Sequence, residues 1–152
     1  MLAKEIMTQG VEVCTDDETA AEAIAIMMRR NCGFIPIVRD HFDRALEGVV
    51  TDRDLALYFG WTDKRPSEVL LKDCMSRRPI TVFEDTNLHQ VALMMEEHLI
   101  HRIPVINHAG KLVGIITLKD LAEEAWRAKG SGRQEVTDQE IGEIVESISI
   151  MR

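Results

Sequence analysis

With 152 residues, 45% of them hydrophobic and 29% charged, the chain has enough apolar material to bury the core of one ordinary soluble globular domain. Its formal net charge of −8 argues against general nucleic-acid binding, which relies on clustered cations, but leaves room for a small anionic ligand held by a few of them. No apolar stretch approaches the roughly 20 residues that would span a bilayer. The opening Met1–Glu5 lacks the apolar core of a secretory signal. Cys14, Cys32 and Cys74 show no CxxC spacing, which predicts reduced thiols and a cytoplasmic location, with Cys14 and Cys32 as buried structural cysteines.

In chain order, a Met-containing lead (Glu5 to Thr8) enters an extended stretch, and Asp17-Glu18-Thr19 supplies a polar helix start. Ala20, Ala23, Ile24, Met27 and Met28 follow helical spacing and are expected in the core. Phe34 to Val38 reads as a buried strand, Arg39 to Arg44 as a turn, and Leu46 to Val50 as the returning strand. A second helix starts at Thr51-Asp52. The connector from Tyr58 to Lys72, with Tyr58, Phe59, Trp61 and Pro66, is expected to pack.

The chain then repeats itself. Lys72 and Met75 echo Lys4 and Met7, and Asp85-Thr86-Asn87 starts a helix carrying Leu88, Val91, Ala92, Met94 and Met95. Ile103-Pro104-Val105-Ile106 echoes Ile35-Pro36-Ile37-Val38. Asn107 to Lys111 is a shorter turn, and Leu112 to Ile116 returns as the paired strand. Gly114-Ile115-Ile116-Thr117-Leu118-Lys119-Asp120-Leu121 echoes Gly48-Val49-Val50-Thr51-Asp52-Arg53-Asp54-Leu55. Thr51 and Thr117 can act as helix caps, which explains the threonines better than it explains acids recurring at Asp54 and Asp120. After Trp126 the repeat ends. Gly130-Ser131-Gly132 reads as a joint, and Thr137 with Glu140 as a capping box. Ile141, Ile144, Val145 and Ile148 form the stripe of an amphipathic tail helix, expected to dock on its own module or on a partner copy.

The ordered pair of motif sets resembles a tandem pair of cystathionine β-synthase (CBS) domains, in the compact form of stand-alone prokaryotic CBS-pair proteins. The resemblance implies an α+β fold: two β-α-β-β-α motifs packed sheet to sheet about a pseudo-twofold axis, plus the helical tail. Its segments would be residues 1–58 (first motif), 59–71 (connector), 72–126 (second motif) and 127–152 (tail). It implies two clefts for adenosine nucleotides such as AMP, ADP or ATP, or for NAD or S-adenosylmethionine. The family's Thr-x-x-Asp falls on Thr51 and Asp54, and on Thr117 and Asp120, with each carboxylate accepting from both ribose hydroxyls. Gly33, Ile35, Pro36, Ile103 and Pro104 would wall the base.

His101-Arg102, where the first half has Gly33-Phe34, would be directed at phosphates, reaching across to the nucleotide whose ribose sits on Asp54. Arg53 and Lys119 are further phosphate candidates, with Arg77 and Arg78 behind them. His98 and His101 near Glu96 and Glu97 lack the further ligands of a recognised zinc spacing, so no metal is expected. No Ser-His-Asp set, nucleophile elbow or Walker loop stands in the chain. The expected function is a regulatory nucleotide sensor, not an enzyme, forming a homodimer and acting through a separate protein effector. A structural dimerisation module with empty clefts is the alternative, and a nucleotide-processing enzyme a lesser one.

Overall fold

A computed structural model of the chain describes residues 1–129 and 136–150, with backbone only for the last three of these. The proposed joint at Gly130-Ser131-Gly132 and the side chain of Ile148 lie outside the described residues. The fold is mixed α+β, with two three-stranded sheets and helices that include one at the C-terminal end.

Two compact units form, and they do not follow the sequence repeat. One comprises Glu12–Pro79 with Ala109–Leu112; it carries the first Thr-x-x-Asp and is called here the first-half unit. The other, the second-half unit, comprises Met1–Val11, Ile80–His108 and the chain from Val113 onward. Each motif's lead has thus joined the unit of the other motif.

In the first-half unit, helix α2 (Ala20–Arg30) is capped by Thr19, whose hydroxyl accepts from the Glu22 N–H at 3.3 Å. Strands β1 (Phe34–Val38) and β2 (Leu46–Thr51) pair antiparallel, with Phe34 opposite Thr51 and Ile35 opposite Val50. Helix α3 (Asp52–Phe59) follows β2 with no intervening loop. The second lead then adds strand β3 (Ser76–Arg77) to the free edge of β2, opposite Val49 and Gly48. Cys14, Ala20, Ala23, Ile35, Ile37, Val50, Leu55, Val69 and Leu71 form the core. Burial and nearby glutamates push the Cys14 thiol up to about 12, so it stays neutral and unreactive. Cys32 is only half-buried, at the edge of this core.

The second-half unit repeats the pattern. Its lead is the short helix α1 (Ala3–Ile6). Strand β4 (Val82–Phe83) runs parallel to β5 (Arg102–Ile106), and β6 (Leu112–Thr117) completes the sheet. Asn87 caps α4 (Leu88–His98), its Oδ1 accepting from the Gln90 N–H at 2.9 Å. Helix α5 (Leu118–Ala128) leaves β6 directly, as α3 leaves β2.

The exchange of leads explains the recurring Met and Gly. Lys4 and Lys72 donate backbone N–H groups to Glu84 and Asp16 at 2.9 Å each. A Cβ on Gly114 would lie 2.7 Å from Met7 Sδ and 2.9 Å from the Thr8 carbonyl oxygen. On Gly48 it would collide with Met75 and the Ser76 backbone in the same way. Each methionine therefore lies over a glycine of the other motif's hairpin, a contact only glycine admits.

The tail helix α6 (Asp138–Ile150) docks within the second-half unit, beside α4 and α5. Thr137 and Glu140 close the expected capping box: the Thr137 N–H donates to Glu140 Oε2 at 2.7 Å, and the Glu140 N–H to Thr137 Oγ1 at 3.1 Å. Ile144 is 1% exposed and joins a core that also holds Leu88, Met95, Ile103, Ile116, Leu121 and Val136. Val145, on the same predicted stripe, faces out.

Beyond Cys32, two further sequence expectations fail. Met28 is 80% exposed, because the buried face of α2 runs through Ala20, Ala23 and Met27 and the next residue turns away from it. Trp61 is 88% exposed, although its neighbours Tyr58 and Phe59 make an edge-to-face pair at 5.4 Å and pack against the core.

Candidate functional site

Both Thr-x-x-Asp segments lie where a strand ends and a helix begins. In the first-half unit the Asp54 N–H donates to Thr51 Oγ1 at 3.1 Å, and the Thr51 N–H donates to Asp54 Oδ2 at 2.9 Å. In the second-half unit the equivalent bonds join Asp120 and Thr117 at 3.2 and 2.7 Å. These are capping boxes, each satisfying two otherwise orphaned N–H groups. Capping therefore accounts for the recurring acids as well as for the threonines, which spacing alone left unexplained.

The boxes consume only part of each acid. Oδ1 of Asp54 and of Asp120 accepts no hydrogen bond among the described residues. Both side chains are half-buried, on the first turn of their helices. The other Thr-x-x-acid boxes, at Thr19 and Thr137, are closed by the longer glutamate. The threonines also differ. The Thr117 hydroxyl donates to Asp120 Oδ2 at 2.7 Å, a bond that Thr51 does not make to Asp54.

The strand entry lies against each cap. The Asp52 N–H donates to the Gly33 carbonyl at 3.0 Å, and the Leu118 N–H to the His101 carbonyl at 2.8 Å. Gly33, Thr51 and Asp54 thus come together in one unit, and His101, Thr117 and Asp120 in the other. Ile35, Pro36, Ile103 and Pro104 are buried strand residues, with Ile35 and Ile103 inside the two cores. Gly33, Phe34, His101 and Arg102, at the strand entries, remain half-exposed.

The cations are spread unevenly. Arg53 is exposed, and neither its guanidinium nor that of Arg102 forms an ion pair among the described residues. Lys119 meets Glu123 at 3.4 Å, and Arg77 meets Asp16 at 3.4 Å. Arg78 sits in a left-handed turn at φ 57°. Burial, with the charges of Asp54 and Asp73, pushes the Cys74 thiol up to about 11, which places Cys74 in the field of the first site's carboxylate.

Sequence reasoning missed Asp52. Its carboxylate lies over Gly33, where a Cβ would sit 2.5 Å from Asp52 Oδ2. The available signal was a paired exchange: Gly33 and Asp52 in one half stand where the other half has His101 and Leu118.

The CBS domain family matches twice, over residues 3–60 and 71–127, each match ending on one of these two Thr-x-x-Asp helices. The chain belongs to the CBS-domain family. The Bacillus subtilis (strain 168) protein YlbB is 36% identical over 137 residues, covering 89% of this chain and 90% of that protein. Among solved CBS pairs, the Arabidopsis thaliana protein CBSX2 in complex with AMP is 28% identical, with a TM-score of 0.73 over 84% of this chain and 98% of that one. The CBS domain pair of protein MJ0100, in complex with 5′-methylthioadenosine and S-adenosyl-L-methionine, is 27% identical, with a TM-score of 0.70 over 88% and 98%.

Proposed function

We propose that the chain is a regulatory module that binds adenosine nucleotides (AMP, ADP, ATP or NAD) and performs no chemistry of its own. The observation that carries this reading is the pair of matched helix caps, each leaving one carboxylate oxygen of Asp54 or Asp120 open to a ligand. A ribose diol offers two donors side by side, and an aspartate already fixed by its cap meets them without losing rotamer freedom. Solved CBS pairs of the same fold hold AMP, methylthioadenosine or S-adenosyl-L-methionine, ligands that share an adenosine core. The module would work in the cytoplasm and signal through a separate protein effector, in signal transduction or stress response. Met28, Leu57, Leu93 and Trp126 expose apolar side chains on four helices, which supports assembly as a homodimer.

The test is calorimetry with adenosine, AMP, ATP and NAD on the wild type and on Asp54→Asn and Asp120→Asn. Asparagine keeps an oxygen for the capping N–H, so the fold is retained while the ribose loses its charged acceptor. Each variant should weaken binding at one site by about 1.5–3 kcal/mol, the range for hydrogen bonds to a charged group. A double variant that binds as the wild type does would sink the assignment. If neither the wild type nor any variant binds an adenosine ligand, the structural dimerisation module takes its place.

A further inference from the structure

The two Thr-x-x-Asp sites share backbone and cap but not charge. In the first-half unit the residue after the capping threonine is Asp52, exposed, with its carboxylate over Gly33 and its Oδ1 accepting from the Arg53 N–H at 2.9 Å. Asp52 and Asp54 put two carboxylates on the first turn of α3 against one cation, Arg53. In the second-half unit the same position is Leu118, half-buried and packed against the core. There Asp120 is the one acid of the first turn, and the strand entry that bonds to the helix start, through the His101 carbonyl and the Leu118 N–H, carries His101 followed by Arg102. The arrangement is self-consistent: glycine at position 33 makes room for the Asp52 carboxylate, while leucine at 118 is compatible with a histidine at 101.

We infer that Asp52 is a specificity-determining residue, making the first-half site select an adenosine compound without a negative charge at its 5′ end, while the second-half site takes the phosphorylated forms. The inference rests on the nucleotide-binding reading above and deepens it. A second carboxylate beside the ribose anchor repels a 5′-phosphate and leaves a neutral nucleoside, or one with a cationic 5′ substituent, unopposed. Discrimination then comes from a repulsive element built into one site.

Single-site proteins test this. Asp120→Asn leaves the first site intact, and Asp54→Asn leaves the second. Adenosine, AMP and ATP, which share base and ribose and differ in charge, are titrated by calorimetry at low salt. In Asp120→Asn protein, adenosine should bind more tightly than ATP, and adding Asp52→Asn should shift the ATP-to-adenosine affinity ratio toward ATP by tenfold or more. In Asp54→Asn protein, ATP should lead, and adding Leu118→Asp should reverse the ratio by a similar factor. The reciprocal substitution keeps the inference falsifiable if one variant fails to fold, which thermal melting monitors. An unchanged ratio on Asp52→Asn, or a preference for ATP in Asp120→Asn protein, overturns the inference; the second result is the one expected if Arg102 reaches the phosphates of the ligand held by Asp54. Both results leave adenosine binding in place. Loss of all binding in the wild type would instead overturn the nucleotide reading itself.

Discussion

Thr51 and Thr117 cap their helices with the same pair of N–H bonds, yet the residue that follows each is a carboxylate in one half and an isobutyl group in the other. Backbone N–H groups at a helix start impose the same demand in both halves, and Thr-x-x-Asp answers it twice. Position 52 or 118 carries no such demand, so it is free to diverge. The two units differ on a larger scale as well. The second-half unit buries a tail helix beside α4 and α5, and the first-half unit has no counterpart to it. What repeats is what the scaffold needs, and what differs is what could give each half its own task.

The largest expected effect breaks the symmetry between the units. Ile144→Ala removes a buried side chain from the second-half core and should cost about 2–5 kcal/mol, the usual range for such truncations. Val145→Ala, one position on and 46% exposed, should stay within about 0.5 kcal/mol. Denaturant unfolding of both variants is the measurement. Equal small effects would mean that α6 does not belong to the core.

The next effect measures what the units share. Gly48→Ala and Gly114→Ala place a Cβ against Met75 and Met7 respectively, and in each case against backbone of the exchanged lead. The backbone cannot swing aside as a methionine tip can, so each substitution should cost about 1–3 kcal/mol, the range for overpacking. The two losses should match, since the local arrangement is the same. A large loss at one glycine and none at the other would show that the exchanged leads are not equivalent. Combining Gly114→Ala with Met7→Ala should recover only part of the loss, because the Thr8 carbonyl remains.

Much of this scaffold was legible in the sequence because it is local. Thr19, Asn87 and Thr137 announce their helices by side chains that reach N–H groups three residues on. The β1–β2 hairpin was legible from its run of branched residues. The recurrence of Met7, Gly48, Met75 and Gly114 was visible too, but not its meaning, since each methionine lies over a glycine of the other motif. Helical periodicity overreached at Met28, since it marks a stripe without fixing its width. At the sites, Thr51, Asp54, Thr117 and Asp120 could be read from their recurrence. Asp52 could not, because its importance lies in the space over Gly33, a residue distant in sequence and visible only once β1 and the start of α3 are side by side.

The smallest effect concerns pH and again separates the units. Burial alone would raise the carboxyl of Glu140, but the Thr137 N–H and hydroxyl and the His89 ring outweigh it and hold it below its usual value. His89 Nδ1 lies 2.5 Å from Glu140 Oε1, and Lys129 Nζ lies 2.6 Å from Asp138 on the first turn of the same helix. A carboxyl whose folded value is depressed contributes stability that is fully present above its unfolded value and is lost as pH falls through the folded one. Acidification should therefore neutralise Glu140, weaken both its helix cap and its pairing with His89, and loosen α6. Limited proteolysis of the tail, compared at neutral pH and near pH 4, reads this directly. Glu140→Gln keeps the capping oxygen without the charge, so its cleavage should depend less on pH. If wild type and variant lose protection in step, another group governs the docking of α6.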